Sequence, residues 1–339
     1  MPEGHSVHRI ARQFARNFVG KRIAVTSPQG RFAAGASQID GHVMVDARAV
    51  GKQMFLEFDN DLWLRVHLGI YGAWDFAGEI TTDATIRSAG GRMGQTNQRG
   101  TVVDDAAGED PSRRPRAASS GQGSVRSIGA PRKARLRMSE SEKENDDPDF
   151  AFPPEPVGAV RVRLLTEATV ADLRGPTACE VLDPAQVQTV IDKLGPDPIN
   201  DTSREAEDKV VAAVRKKQSP IGLLLMDQSI VSGIGNVYRA EMLFRARLNP
   251  HTPGNRVPEE TVRALWRDWV YLLQLGVATG QMMTMDDLDD DAYVKAMASR
   301  DDRHWVYKRE GLPCRVCGTN IVMEMMASRK LYWCPKDQA

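Results

Sequence analysis

Near the start of the chain, apolar residues fall at Val7, Ile10, Ala11, Phe14 and Phe18. This i, i+3, i+4, i+7 spacing turns one helical face toward a core. Arg9, Arg12 and Arg16 are expected on the opposite, solvent side, with Gly20 ending the helix. Short Val-, Leu- and Phe-rich runs follow at Arg22–Thr26, His42–Ala47, Gln53–Phe58 and Leu62–Leu68, separated by Gly, Asn and Asp turns. They predict an antiparallel β domain. Strand alternation returns in AVRVRLLT after Val157, and Pro184–Leu194 reads as a helix. LGPDPI (Leu194–Ile199) is a proline-punctuated hinge. Helices are then predicted at Arg204–Lys216, Ile221–Asp227, Val237–Ala246 and Pro258–Gly276, and a cysteine-bearing hairpin from Arg309.

Between Gly78 and Asp149 the apolar periodicity lapses. Pro111–Arg137 holds eight basic residues and no acid, while Met138–Phe150 holds six acids and one lysine. Opposite charge blocks without a core pattern predict a disordered charged insertion over 78–156. The expected domains are 1–77 plus 157–193, the insertion, a helical unit over 194–308, and the hairpin over 309–339.

Composition sharpens this. The 339 residues carry 45 basic and 45 acidic side chains. Zero net charge argues against a uniformly basic nucleic-acid binder, but the acidic block can mask a basic cleft elsewhere. No run approaches the roughly 18 apolar residues of a membrane span. MPEGHSVHR lacks an apolar signal core, so a cytoplasmic, nucleoid-associated monomer is expected. The four cysteines are too few for a disulfide framework, and three of them crowd the tail.

Several residues carry candidate chemistry. Removal of Met1 would leave Pro2 as a secondary amine. An α-amino group has a pKa near ~7.7–8.0, so a useful fraction is a free nucleophile able to attack a sugar C1′. Glu3 beside it can move protons. In GIGNVYRAE (Gly233–Glu241) two glycines precede Asn236, a favoured N-cap, and the helix N-terminus it opens is a ready anion site. Cys314-x-x-Cys317 followed by Cys334 has structural-zinc spacing, but Asp337 stands where a fourth cysteine is expected. Asp337, solvent or His304 are the open choices for that place. Arg329 near the hairpin tip can clamp phosphate, Lys52 can point a charge into a cleft, and Ile70-Tyr71 can insert into a base stack. Cys179, far from the tail, reads as a buried free thiol.

Taken in order, MPEG, VGKQMF, HLGIYG, LGPDPI, GIGNVYRAEMLF and VYKREGLPCRVCG…SRKLYWCP resemble the formamidopyrimidine-DNA glycosylase / endonuclease VIII family of base-excision repair enzymes. The resemblance covers most of the chain outside the insertion. It implies an α+β fold: an N-terminal antiparallel β-sandwich flanked by helices, then a helical domain with a helix–two-turns–helix motif and a zinc-finger-type β-hairpin. The partner it implies is damaged DNA, and the cofactor one structural zinc. Pro2 would be the Schiff-base nucleophile and Glu3 the general acid/base. Lys52, Asn236, Arg239 and Arg329 would hold DNA, while Ile70 and Tyr71 would fill the gap left by a flipped nucleotide. Cys314, Cys317, Cys334 and Asp337 would be the metal set. Two departures stand out: His5 and Ser6 replace the family's usual Pro and Glu, and Asp337 replaces a cysteine. The Gly69-Ile70-Tyr71 loop looks more like the endonuclease VIII branch, which favours oxidised pyrimidines, with β,δ-elimination at the resulting abasic site. The competing readings are an oxidised-purine glycosylase, a non-catalytic lesion-binding protein, and a helix–two-turns–helix module of ribosomal or topoisomerase-like role. The last would not need Pro2-Glu3.

Overall fold

The computed structural model describes residues 2–81, 126–129, 152–286 and 288–339. Helix α1 (Gly4–Asn17) buries Val7, Ile10, Ala11 and Phe14, as the spacing predicts. β1 (Ala24–Thr26), α2 (Ala33–Ile39), β2 (Met44–Val50), β3 (Gln53–Phe58), β4 (Trp63–His67) and β5 (Ala73–Gly78) follow. Next come β6 (Arg126–Gly129), β7 (Val160–Leu165), β8 (Thr169–Arg174), β9 (Ala178–Leu182) and α3 (Pro184–Ile191). The strands form two antiparallel sheets, ordered β1-β7-β8-β5-β6 and β2-β3-β4-β9. One core fills the space between them and under α1, where Phe14 packs edge-on against Trp74 and Phe76.

Two expectations need correction. Most of the predicted disordered insertion (82–125 and 130–151) lies outside the described residues, but residues 126–129 depart from that expectation. They pair with Ala73–Phe76 as an edge strand, and Ile128 is buried in the core. A single apolar residue in a four-residue strand is too short a signal for periodicity to register. Arg9 is likewise not on a solvent face: it is 2% exposed. The first turns of α1 lie against the second lobe, where the Arg9 guanidinium packs over Gly280.

The hinge joins the lobes through Asp197. Its carboxylate accepts from Gly51 N and Ile199 N, and pairs with His8 Nε2 of α1 at 2.7 Å. Beyond it lie α4 (Arg204–Arg215), capped by Ser203, then α5 (Ile221–Leu224), α6 (Asn236–Arg245), α7 (Glu259–Thr279) and α8 (Asp290–Ala298). Trp266, Trp269, Leu272, Leu273 and Tyr238 build their core, and the Trp269 indole satisfies its N–H on Ser232 O. The hairpin pairs β10 (Val322–Met326) with β11 (Arg329–Trp333) through a turn whose Ala327 and Ser328 both have positive φ. Among the described residues no helix is long and apolar enough to cross a membrane.

Candidate functional site

The N-terminal segment ends against the turn that opens α6. Gly4 N donates to Gly233 O, and Gly233, at φ +90, leaves room for Trp269 on its other side. Glu3 is 0% exposed. Its carboxylate accepts from Gly235 N (3.0 Å), Val237 N (2.9 Å) and Tyr238 N (3.4 Å). The free N–H groups and positive end of the helix offset the cost of burying this charge. The expected N-cap is therefore corrected: Gly235 is the N-cap, Asn236 is the first helical residue, and the first amides of this terminus are taken by Glu3. A contact spanning more than two hundred residues is invisible to local capping rules.

A cleft of about 470 Å³ opens beside this corner, lined by Pro2, Lys52, His67, Ile70, Gln228 and Arg329 among others. Lys52 sits in the turn between β2 and β3 and donates to Ile234 O. Burial lowers its pKa to about 8, a shift that Glu3 opposes and Arg329 reinforces. His67, at the end of β4, is also lowered, by burial and then by Lys52 and Arg65. His67 and Gln228 were not singled out from sequence. The signal for His67 was its place just before the Gly69-Ile70-Tyr71 loop. Gln228 has a positional role, bracing the glycine turn by accepting from Gly233 N and donating to Ile234 O.

Asn236 is half-buried and donates to Lys330 O of the hairpin. Arg239, expected to touch DNA, is 1% exposed and lies behind Asn236, donating to its Oδ1 at 2.6 Å. Burial, and after it the neighbouring Arg329, lower the Arg239 pKa to about 10. Arg329 opens β11 at the mouth of the cleft. Ile70 and Tyr71 are 44% and 47% exposed, two apolar side chains held out on a turn closed by Gly72 N donating to Leu68 O.

At the far end of the hairpin, one ligand atom from each of Cys314, Cys317, Cys334 and Asp337 falls within 4.8 Å of every other. Cys314 Sγ is 3.0 Å from Asp337 Oδ2, and Cys317 Sγ is 3.5 Å from Cys334 Sγ. Val316 N and Asp337 N donate to sulfurs of the set. Burial, and then Asp337, push the Cys314 thiol up to about 12, whereas the Cys317 thiol is lowered; a bound metal would hold both as thiolates. Three sulfurs and one carboxylate oxygen, closely spaced and supported by amides, fit a tetrahedral zinc. His304, the alternative fourth ligand, is engaged elsewhere, against Thr284 Oγ1 and the Tyr307 ring. Cys179 is a half-buried free thiol on β9, its pKa pushed up to about 12 by burial.

Models of known families match three stretches. Residues 1–105 match the formamidopyrimidine-DNA glycosylase N-terminal domain, 194–287 the formamidopyrimidine-DNA glycosylase H2TH domain, and 311–339 a zinc finger found in FPG and IleRS. The chain is 32% identical over 338 residues to "Endonuclease 8 1" of Mycobacterium bovis, covering 100% of both. It is 34% identical to a formamidopyrimidine-DNA glycosylase of Thermus thermophilus over 149 residues, 43% of this chain and 54% of that one. Among solved structures it resembles Lactococcus lactis formamidopyrimidine-DNA glycosylase bound to DNA containing an abasic site, with TM-score 0.64, 18% identity and 99% of each chain covered. The solved Thermus thermophilus protein gives TM-score 0.62 at 20% identity, covering 99% of this chain and 98% of that one. At such identities the likeness is one of fold.

Proposed function

The chain belongs to the formamidopyrimidine-DNA glycosylase / endonuclease VIII family of DNA-repair glycosylases and abasic-site lyases, and from that premise we propose that it excises oxidised pyrimidines through a Schiff base on Pro2. With Met1 removed, the Pro2 nitrogen attacks C1′ of the damaged nucleotide, the N-glycosidic bond breaks, and the base leaves with a proton. Glu3, one residue away and fixed by three amides, passes protons at this centre. The C1′–O4′ bond then opens, O4′ taking a proton, and the resulting iminium acidifies the C2′ proton. β-Elimination then releases the 3′ phosphate, δ-elimination the 5′ phosphate, and hydrolysis frees Pro2. Lys52 and Arg329, which both line the cleft, hold the flanking phosphates. Asn236 takes a third phosphate, and Arg239 acts on DNA by aiming Asn236. Ile70 and Tyr71 enter the stack in place of the flipped nucleotide, whose extrusion costs a few kcal/mol, least at a damaged base. Cys314, Cys317, Cys334 and Asp337 hold a structural zinc that sets the posture of the hairpin.

The observation that carries the pyrimidine preference is the loop beside Ile70-Tyr71. A purine-type member is expected to supply Arg and Phe from a second loop. Here the connection packed on Gly69 is Gly175-Pro176-Thr177, with neither residue. The 32% identical full-length relative named an endonuclease 8 supports the same branch. The test is borohydride trapping on thymine-glycol and 8-oxoguanine duplexes, with the adduct mapped by mass spectrometry. An adduct on Pro2, formed about tenfold faster with thymine glycol, is expected. No adduct on a Pro2-terminated chain defeats the chemistry, and faster trapping on 8-oxoguanine defeats the preference.

A further inference from the structure

The two oxygens of Asp337 face different ways. Oδ2 is turned to the sulfurs, 3.0 Å from Cys314 Sγ and 3.5 Å from Cys334 Sγ. Oδ1 is 3.0 Å from Nη1 of Arg247, two residues past the end of α6. A carboxylate with one oxygen committed to a guanidinium has a single oxygen left to offer a metal.

The backbone at Arg247 indicates that this arrangement is held. Arg247 has φ +52, the left-handed conformation. It is the residue after the C-cap Ala246, a place where glycine is usual because a side chain is strained in the left-handed conformation. Such conformations persist where the surroundings over-determine them. Here Arg247 N donates to Phe244 O, the guanidinium lies over the Phe244 ring at 5.2 Å, and its far end reaches Asp337. A second strap runs alongside. Gln338, 0% exposed, accepts from Cys334 N and donates to Leu248 O. The second metal knuckle is thus tied at two points to the chain leaving α6.

We propose that Arg247 is a positioning residue for the metal: it fixes Asp337 as a single-oxygen fourth ligand and fastens the knuckle to the end of α6. This rests on the reading of Cys314, Cys317, Cys334 and Asp337 as a zinc set. A carboxylate is a poorer ligand than thiolate for a borderline-soft ion and has two binding modes to choose between. Removing the second mode before the metal arrives recovers part of the affinity lost with the missing cysteine. Partners of metal-binding side chains commonly account for about 10–100-fold in affinity. The guanidinium also brings one positive charge to a set of three thiolates and a carboxylate.

The test compares the full chain with Arg247→Gly, Asp337→Asn and Asp337→Cys by zinc content, chelator competition and the absorption of the cobalt(II)-loaded protein. Glycine accepts positive φ freely, so Arg247→Gly removes the clamp without threatening the fold. Its zinc Kd should weaken about tenfold, with the sulfur-to-cobalt charge-transfer band kept and the ligand-field bands shifted. In the Asp337→Cys background, Arg247→Gly should change the Kd less than about threefold. Full zinc affinity in Arg247→Gly overturns the clamp while leaving the zinc set standing. Wild-type protein with less than one zinc per chain, or Asp337→Asn with wild-type Kd and cobalt spectrum, overturns the zinc set itself.

Discussion

The two ends of α6 solve the same problem by opposite means. Each holds a carboxylate from one extremity of the chain, Glu3 at the N-terminal end and Asp337 beyond the C-terminal end. At the N-terminal end the unpaired amides point outward and the helix dipole is positive, so Glu3 is buried with backbone amides as its partners. At the other end the unpaired groups are carbonyls and the dipole is negative. A carboxylate there needs a positive partner, which Arg247 supplies from a strained backbone. The N-terminal end is unstrained: Gly235 has φ −118, which any residue adopts. Burying an acid against a helix thus depends on which terminus receives it. The corner that carries Pro2 and Glu3 uses the end where the helix itself provides the charge.

The sharpest break of that comparison is Gly235→Ala. Backbone conformation does not object, but a Cβ would lie 2.3 Å from Glu3 Cδ. The carboxylate must leave the amides and carry Pro2 with it. A displacement of about 1 Å at a reacting group costs on the order of 100-fold. Excision in single-turnover assays should fall by about that factor or more, with zinc content unchanged. Loss of zinc in this variant would show that the two ends are not independent.

Next in size is Ile128→Ala, which separates the lobe that carries the N-terminal corner from the lobe that carries the metal. Ile128 is 1% exposed, and its strand packs against α1. Truncating a buried Ile costs about 2–5 kcal/mol. The β-sandwich should therefore lose that much stability in denaturant unfolding, with zinc affinity preserved. A change below about 0.5 kcal/mol, the range of ordinary surface substitutions, would mean that residues 126–129 belong to the disordered insertion their composition predicts.

These cases also mark what the sequence made legible. Helix periods at Val7–Phe18 and strand runs such as Gln53–Phe58 are local and were recovered within a few residues. Pro2, Lys52, Ile70 and Arg329 could be named from motifs, and the fold gathers them around one cleft. Long-range pairing was not legible. Nothing near Glu3 announces the amides of residues 235–238, and nothing near Arg9 announces Gly280. Arg239 reads as a surface cation in a DNA-binding motif, and only packing shows it behind Asn236. Asp337 illustrates the reverse case. Spacing brought out Cys314, Cys317, Cys334 and Asp337, which the fold gathers within 4.8 Å of one another, but the Arg247 that pairs with Asp337 lies ninety residues earlier in the chain.

The smallest expected effect concerns the turn that Lys52 shares with the N-terminal end of α6. Lys52 Nζ is tied to Ile234 O, and burial brings its pKa down from 10.5 to about 8. Below that pH the ammonium is charged and attracts a phosphate; above it the neutral amine does not. DNA affinity from this residue is therefore fully present well below pH 8 and lost as pH rises past it, whereas an ordinary lysine would hold its charge to about 10.5. A bound phosphate favours the charged form, so binding should take up a proton between about pH 8 and 9.5. The measurement is duplex affinity across about pH 7–9.5 at fixed salt, since phosphate contacts are salt-dependent. Wild-type affinity should drop several-fold across that window, and Lys52→Arg, which stays charged, should flatten the profile. An equally steep profile in Lys52→Arg would move the titrating group elsewhere in the cleft and leave the N-terminal end of α6 with no pH-sensitive contact to DNA.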